Sequence, residues 1–175
     1  MITKKNVAWI PDKEVRQEFI NCIEDGGWEE VMNSLRRSDE LLKATLSGDS
    51  DTVAKILEEV HQQNTSIISY NNELSLSVTL ALAYYSAKNS YEIFREFPSG
   101  KGFADLTFIP RRGVDFPAMV IELKYNNSAD NAIEQIKEKN YTEKLSAFCG
   151  EILLVGISYN DSKGHSCIIE KIVKQ

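Results

Sequence analysis

The sequence predicts an α/β domain in which a mixed central sheet is built in the order α-β-β-β-α-β(-β), preceded by an N-terminal helical segment. Three observations predict it. Apolar residues recur at helical spacing through the first third of the chain, then switch to period two or to short solid runs after about residue 90. Short turn-rich connections separate the first three of those runs, which makes them an antiparallel meander. One amphipathic stretch stands between the third and fourth runs, so a crossover joins two parallel strands there.

In order, "DKEVRQEFINCIED" places Val15, Phe19 and Cys22/Ile23 at i, i+4 and i+7/i+8, and stops at Gly26-Gly27. "WEEVMNSLRRSDELLKATL" continues the helical period to Gly48. "DSDTVAKILEEVHQQN" follows a cap-like "SGDSD" and carries an apolar stripe of Val53, Ile56, Leu57 and Val60. "ELSLSVTLALAYYSAKN" is rich in Ala and Leu and predicts a buried helix with Glu73 in its first turn. "YEIFREF", "FADLTFIP" and "PAMVIELKY" predict three strands, with "PSGKG" and "RRGVD" as the turns between them. "SADNAIEQIKEKNYTEKLSAF" predicts one helix with Ala132, Ile133, Ile136, Tyr141 and Leu145 inward, and "EILLVGISY" and "SCIIEKIV" predict the last two strands. The expected organisation is a helical segment over residues 1–66 packed on a core over 67–175.

Composition narrows the chemistry. The 175 residues carry a formal charge of −6, which gives no support for a broadly basic nucleic-acid-binding surface but leaves room for a local cleft completed by cations. No stretch has the ~18 uncharged apolar residues of a membrane span, and "MITKKNVAWIPDKEV" is too polar for a signal peptide, so a cytoplasmic protein is expected. Cys22, Cys149 and Cys167 show no metal-binding spacing and read as thiols of a reducing compartment. His61 at a helix end and His165 in a turn read as surface residues, which argues against triad hydrolysis and a multi-histidine zinc site. Carboxylates and lysine remain as the reactive groups.

"PAMVIELKY" holds the most informative anomaly, because Glu122 and Lys124 interrupt an otherwise buried strand. Alternation puts both on one face and Leu123 on the other. Asp105, in the equally apolar "GFADLTF", comes beside Glu122 if the two strands are neighbours in the meander. Two adjacent carboxylates repel, and one takes up a proton unless a divalent cation joins them; an all-oxygen donor set suits Mg2+ or Mn2+. Asp161-Ser162-Lys163 repeats the acid-x-Lys spacing, but in the polar turn "YNDSKG" solvation explains it. Glu122 and Lys124 alone are also compatible with an ion pair at a strand end.

Together, "GKGFADLTF", "VIELKY" and "SADNAIEQIKEKNY" resemble the PD-(D/E)XK nuclease superfamily, and most closely the branch found behind AAA-ATPase-like domains. The likeness runs over nearly the whole chain, since "IPDKEVRQEF" resembles the opening of that branch's nuclease region. It implies a restriction-endonuclease-like αβββαβ core and Mg2+- or Mn2+-dependent hydrolysis of nucleic acid, DNA in the first instance. It also implies an AAA-ATPase-like domain upstream in a longer chain. By the same resemblance Asp105 and Glu122 are metal-binding acids, Lys124 is the catalytic lysine, and Gln135 is the glutamine of the following helix. Glu73 matches an acid that reaches the metal through water, and Tyr141 matches an aromatic residue read here as packing. Ala104 replaces the proline of the family pattern, "LSLS" after Glu73 lacks an aromatic-histidine pair, and Phe103 stands where arginine is common. The metal site is complete on this reading, while the substrate-contacting surface is altered. A nuclease-fold binding or regulatory module is the alternative. A phosphotransfer enzyme on another scaffold is disfavoured by the lack of a GxxxxGK[ST] loop.

Overall fold

The structure is a computed structural model that describes residues 27–64, 73–99, 102–141, 145 and 150–173. The helix expected over "DKEVRQEFINCIED", Cys22 and Cys149, and the expected boundary at 66/67 lie outside the described residues. Contacts divide the chain into two compact units, 1–36 and 37–175. Of the first unit only residues 27–36, the opening turns of a helix, are described.

In chain order the elements are α1 (Gly27–Ser47), α2 (Ser50–Asn64), α3 (Glu73–Ala83), a 3-10 turn (Tyr85–Asn89), β1 (Tyr91–Ser99), β2 (Gly102–Pro110), β3 (Ala118–Tyr125), α4 (Ala129–Glu138), β4 (Glu151–Asn160) and β5 (Gly164–Val173). The five strands form one sheet in sequence order. β1–β2–β3 is the expected antiparallel meander, β3 and β4 are parallel across α4, and β5 returns antiparallel to β4. Among the described residues no helix is long and apolar enough to cross a membrane.

Each face of the sheet buries its own core. Leu41 of α1, Val53 and Leu57 of α2 and Leu80 of α3 pack on Leu106, Ile121, Leu123, Val155 and Ile157. On the other face Ile133 and Ile136 of α4, with Tyr141 and Leu145, cover Val120, Ile152 and Leu154. β3 is therefore buried on both sides through Leu123, as its near-continuous apolar run requires. The carboxylate of Asp49 accepts from Thr52 N–H at 3.0 Å and so caps α2.

Three expectations need correction. The helix after β3 does not run through 128–148. It ends at Glu138 in a Schellman closure, with Tyr141 N–H donating to Ile136 O (3.3 Å), Asn140 N–H donating to Lys137 O (3.1 Å) and Asn140 at φ 53°. Tyr141 and Ile136 share one core, so apolar spacing that looked like a continuing helix is a turn folding back on it. The helix from Glu73 ends at Ala83 and tightens into the 3-10 turn. Finally, His61 and His165 are not surface residues: His61 is buried and the His165 side chain is 1% exposed. The turn before β5 is only Asp161–Lys163, so His165 already lies in the ladder opposite Tyr159, beneath α2.

Candidate active site

The site is built at the seam of β2 and β3. Leu106 pairs with Ile121 at the end of the β2–β3 ladder, so Asp105 and Glu122 are the next residues of the two strands; the charges of both act on Tyr141, and that of Asp105 acts on Glu122. Asp105 Oδ2 accepts from the Leu123 backbone N–H at 2.8 Å, which fixes the carboxylate in that seam. In the register of β1 and β2, Arg95 meets Leu106 and Phe97 meets Ala104, so Glu96 falls opposite Asp105. Glu96 has φ 51°, a left-handed conformation disfavoured for a residue with a side chain. Backbone strain of this kind gathers at sites where geometry is constrained.

Glu122 is 2% exposed. Its Oε1 accepts from Lys124 Nζ at 3.3 Å and from Gln135 Nε2. Its Oε2 is buried and has no hydrogen-bond partner. Burial pushes the Glu122 carboxyl up to about 7; the neighbouring Asp105 charge adds to the rise, while Lys124 and Lys139 oppose it. At neutral pH the pair therefore sits at the point where either a proton or a cation must relieve it. That is the condition expected of two sheet carboxylates forming one oxygen-donor site.

Gln135 reaches Glu122 because α4 lies unusually close to the sheet. Gly156 of β4 is the ladder partner of Glu122, and a Cβ there would come within 2.4 Å of the Ala129 carbonyl oxygen and 2.9 Å of Ile133. Only glycine permits this approach. Ser128 caps the helix by accepting from Asn131 N–H, fixing its start at the end of β3. Tyr141 donates its hydroxyl proton to Phe103 O at 2.7 Å and lies within hydrogen-bonding reach of Gln135, so it ties α4 to β2 directly above the two acids.

The expected residues Asp105, Glu122, Lys124 and Gln135 are thus brought together. Glu73 opens α3, and its side chain lies outside the described residues. Lys139 was not among the expected residues. It caps α4 one turn after Gln135, and its charge acts on Glu122. The i, i+4 spacing from Gln135 was the available signal, obscured because "IKEKN" looks like any solvated helix end. A cavity of about 570 Å³ at the β2–β3 loop, lined by Arg111, Arg112, Phe116 and Glu151 among others, includes none of these residues.

Comparison with known proteins bears on the same elements. No curated protein matches the chain. A family model for the PD-(D/E)XK nuclease superfamily matches residues 77–170, more than half of the chain and all of β1 to β4. The mixed sheet, its helices and the preceding N-terminal helices agree with a restriction-endonuclease-like core. On that match the chain belongs to the PD-(D/E)XK nuclease superfamily.

Proposed function

We propose that this chain is a metal-dependent nuclease that hydrolyses phosphodiester bonds, with DNA as its substrate. The observation that carries the reading is Glu122 Oε2: a buried carboxylate oxygen without a hydrogen-bond partner, beside a second carboxylate, in a family of nucleases. Asp105 and Glu122 would hold Mg2+ or Mn2+, with Glu73 contributing through water from the start of α3. When bound, such a cation supplies Lewis acidity toward a phosphoryl oxygen and acidifies the attacking water.

The chain's own groups do the rest. Lys124, anchored on Glu122 Oε1, positions the attacking water for in-line displacement. Gln135 donates to the same oxygen, so Oε2 is the Glu122 oxygen that would be available to a cation. Lys139 adds positive charge near Glu122, which locally offsets the acidic balance of the chain. "IPDKEVRQEF" supports placement behind an AAA-ATPase-like domain in a longer chain, and the free Cys167 agrees with a reducing cytoplasm.

The test is incubation with plasmid, linear duplex and single-stranded DNA, and with RNA, in Mg2+ or Mn2+, beside a Lys124→Ala control. Cleavage of DNA by wild type, abolished by chelator and by Lys124→Ala, is the expected result. A protein that binds the same substrates without cutting any of them would instead be a nuclease-fold binding module.

A further inference from the structure

On the opposite face of the sheet, at the β4–β5 end, Glu58 and His61 of α2 meet His165 of β5. Glu58 and His61 are three residues apart, so they project from one face of the helix. Each of the three side chains has one donor atom within 4.8 Å of the donors of the other two. Glu58 Oε2 and His165 Nδ1 are 2.7 Å apart, and the same carboxylate accepts the His165 backbone N–H at 3.2 Å. The His61 and His165 rings meet edge-on at 5.4 Å, and Tyr159 closes the group at 4.8 and 4.9 Å from them.

The backbone is shaped around this group. Gly164 has φ 73°, and a Cβ there would lie 2.8 Å from Glu58 Oε2. A glycine at the first residue of β5 thus serves both the turn and the seat of the carboxylate. Hydrogen bonding to His165 holds the Glu58 carboxyl below its ordinary range, and burial holds both imidazoles below theirs.

We infer that Glu58, His61 and His165 form a second metal site, of two nitrogens and one oxygen, that takes a Zn2+-class ion and clamps α2 to β5. The donor set separates it from the sheet carboxylates: imidazole favours Zn2+, whereas an all-oxygen pair favours Mg2+ or Mn2+. Zn2+ bonds of about 2.0–2.1 Å keep tetrahedral donors about 3.3 Å apart, so side-chain rotation of an ångström or so closes the present triangle. The Glu58 side chain is 35% exposed, which gives the ion a path in and leaves the fourth position to water.

The experiment uses the full chain carrying Asp105→Asn, which silences the other candidate site. Zn2+ is titrated by calorimetry, and Co2+ is followed by its visible absorption. The inference expects one equivalent of Zn2+, intense bands of low-coordinate Co2+, and at least a hundredfold weaker binding with His61→Gln added. Glu58→Gln, which can still accept from the His165 N–H, serves as the second variant if His61→Gln does not fold, and weakens binding likewise. Absence of stoichiometric Zn2+ binding, or binding unchanged in the folded variant, overturns the site.

Discussion

Replacing Glu122 with glutamine puts an uncharged isostere where the structure holds a strained carboxylate. The ordinary value for this group is 4.5, and burial beside Asp105 raises it to about 7. A raised carboxyl value means that the folded state holds the proton more tightly than the unfolded chain. Stability from this residue is present at low pH and is lost as pH climbs from the ordinary value through the raised one. At ~1.4 kcal/mol per unit, the charged form costs about 3 kcal/mol above the window. The introduced amide mimics the protonated form, so Glu122→Gln should match wild type below about pH 4.5 and exceed its stability by about 3 kcal/mol near pH 8. Urea unfolding of both proteins in chelator across this range measures the difference, since titrating groups that do not interact with Glu122 cancel. A difference that stays flat with pH would mean an ordinary, solvated carboxyl at position 122 and no buried acid pair.

Gly156→Ala should cost about 1–3 kcal/mol in urea unfolding, because the new methyl meets a backbone carbonyl of α4 and the helix must move outward. The same variant should lose much of its metal response, since Gln135 travels with α4 away from Glu122. Tyr141→Phe should cost about 1 kcal/mol through loss of the 2.7 Å bond to Phe103 O, while cleavage falls less than about tenfold. A larger loss of kcat without loss of stability would make Tyr141 a participant in the chemistry rather than packing.

What could be read from the sequence follows from how far apart the informative residues lie. Glu122 and Lys124 announce themselves because they interrupt one apolar run, and Asp105 because the meander leaves one neighbouring strand for it to occupy. Gln135 required the family resemblance, since a glutamine on an amphipathic helix is otherwise unremarked. Gly156 gave no local signal: its meaning lies in a helix carbonyl 27 residues earlier in the chain. The pairing of Glu58 with His165 spans 107 residues and depends on α2 packing against β5, a tertiary fact that local periodicity does not encode. The overlong helix after β3 has the same origin, for Tyr141 stands at the helical i+8 spacing from Ile133 while its backbone has already turned.

Whether Asp105 and Glu122 together hold a divalent cation is read most directly from the melting temperature of wild type and Asp105→Asn with and without Mg2+. Magnesium is the right probe because the histidine-containing group on the other face does not favour it. Asparagine can still accept from Leu123 N–H, and removal of one of two like charges should leave the metal-free variant at least as stable as wild type. At ten times Kd, a ligand that binds only the folded form adds about 1.4 kcal/mol, or about 3–5 °C for a chain of this size. Wild type should show that rise and Asp105→Asn should lose it. An equal rise in both proteins, or none in wild type at any Mg2+ concentration, would mean that the two carboxylates do not hold the ion.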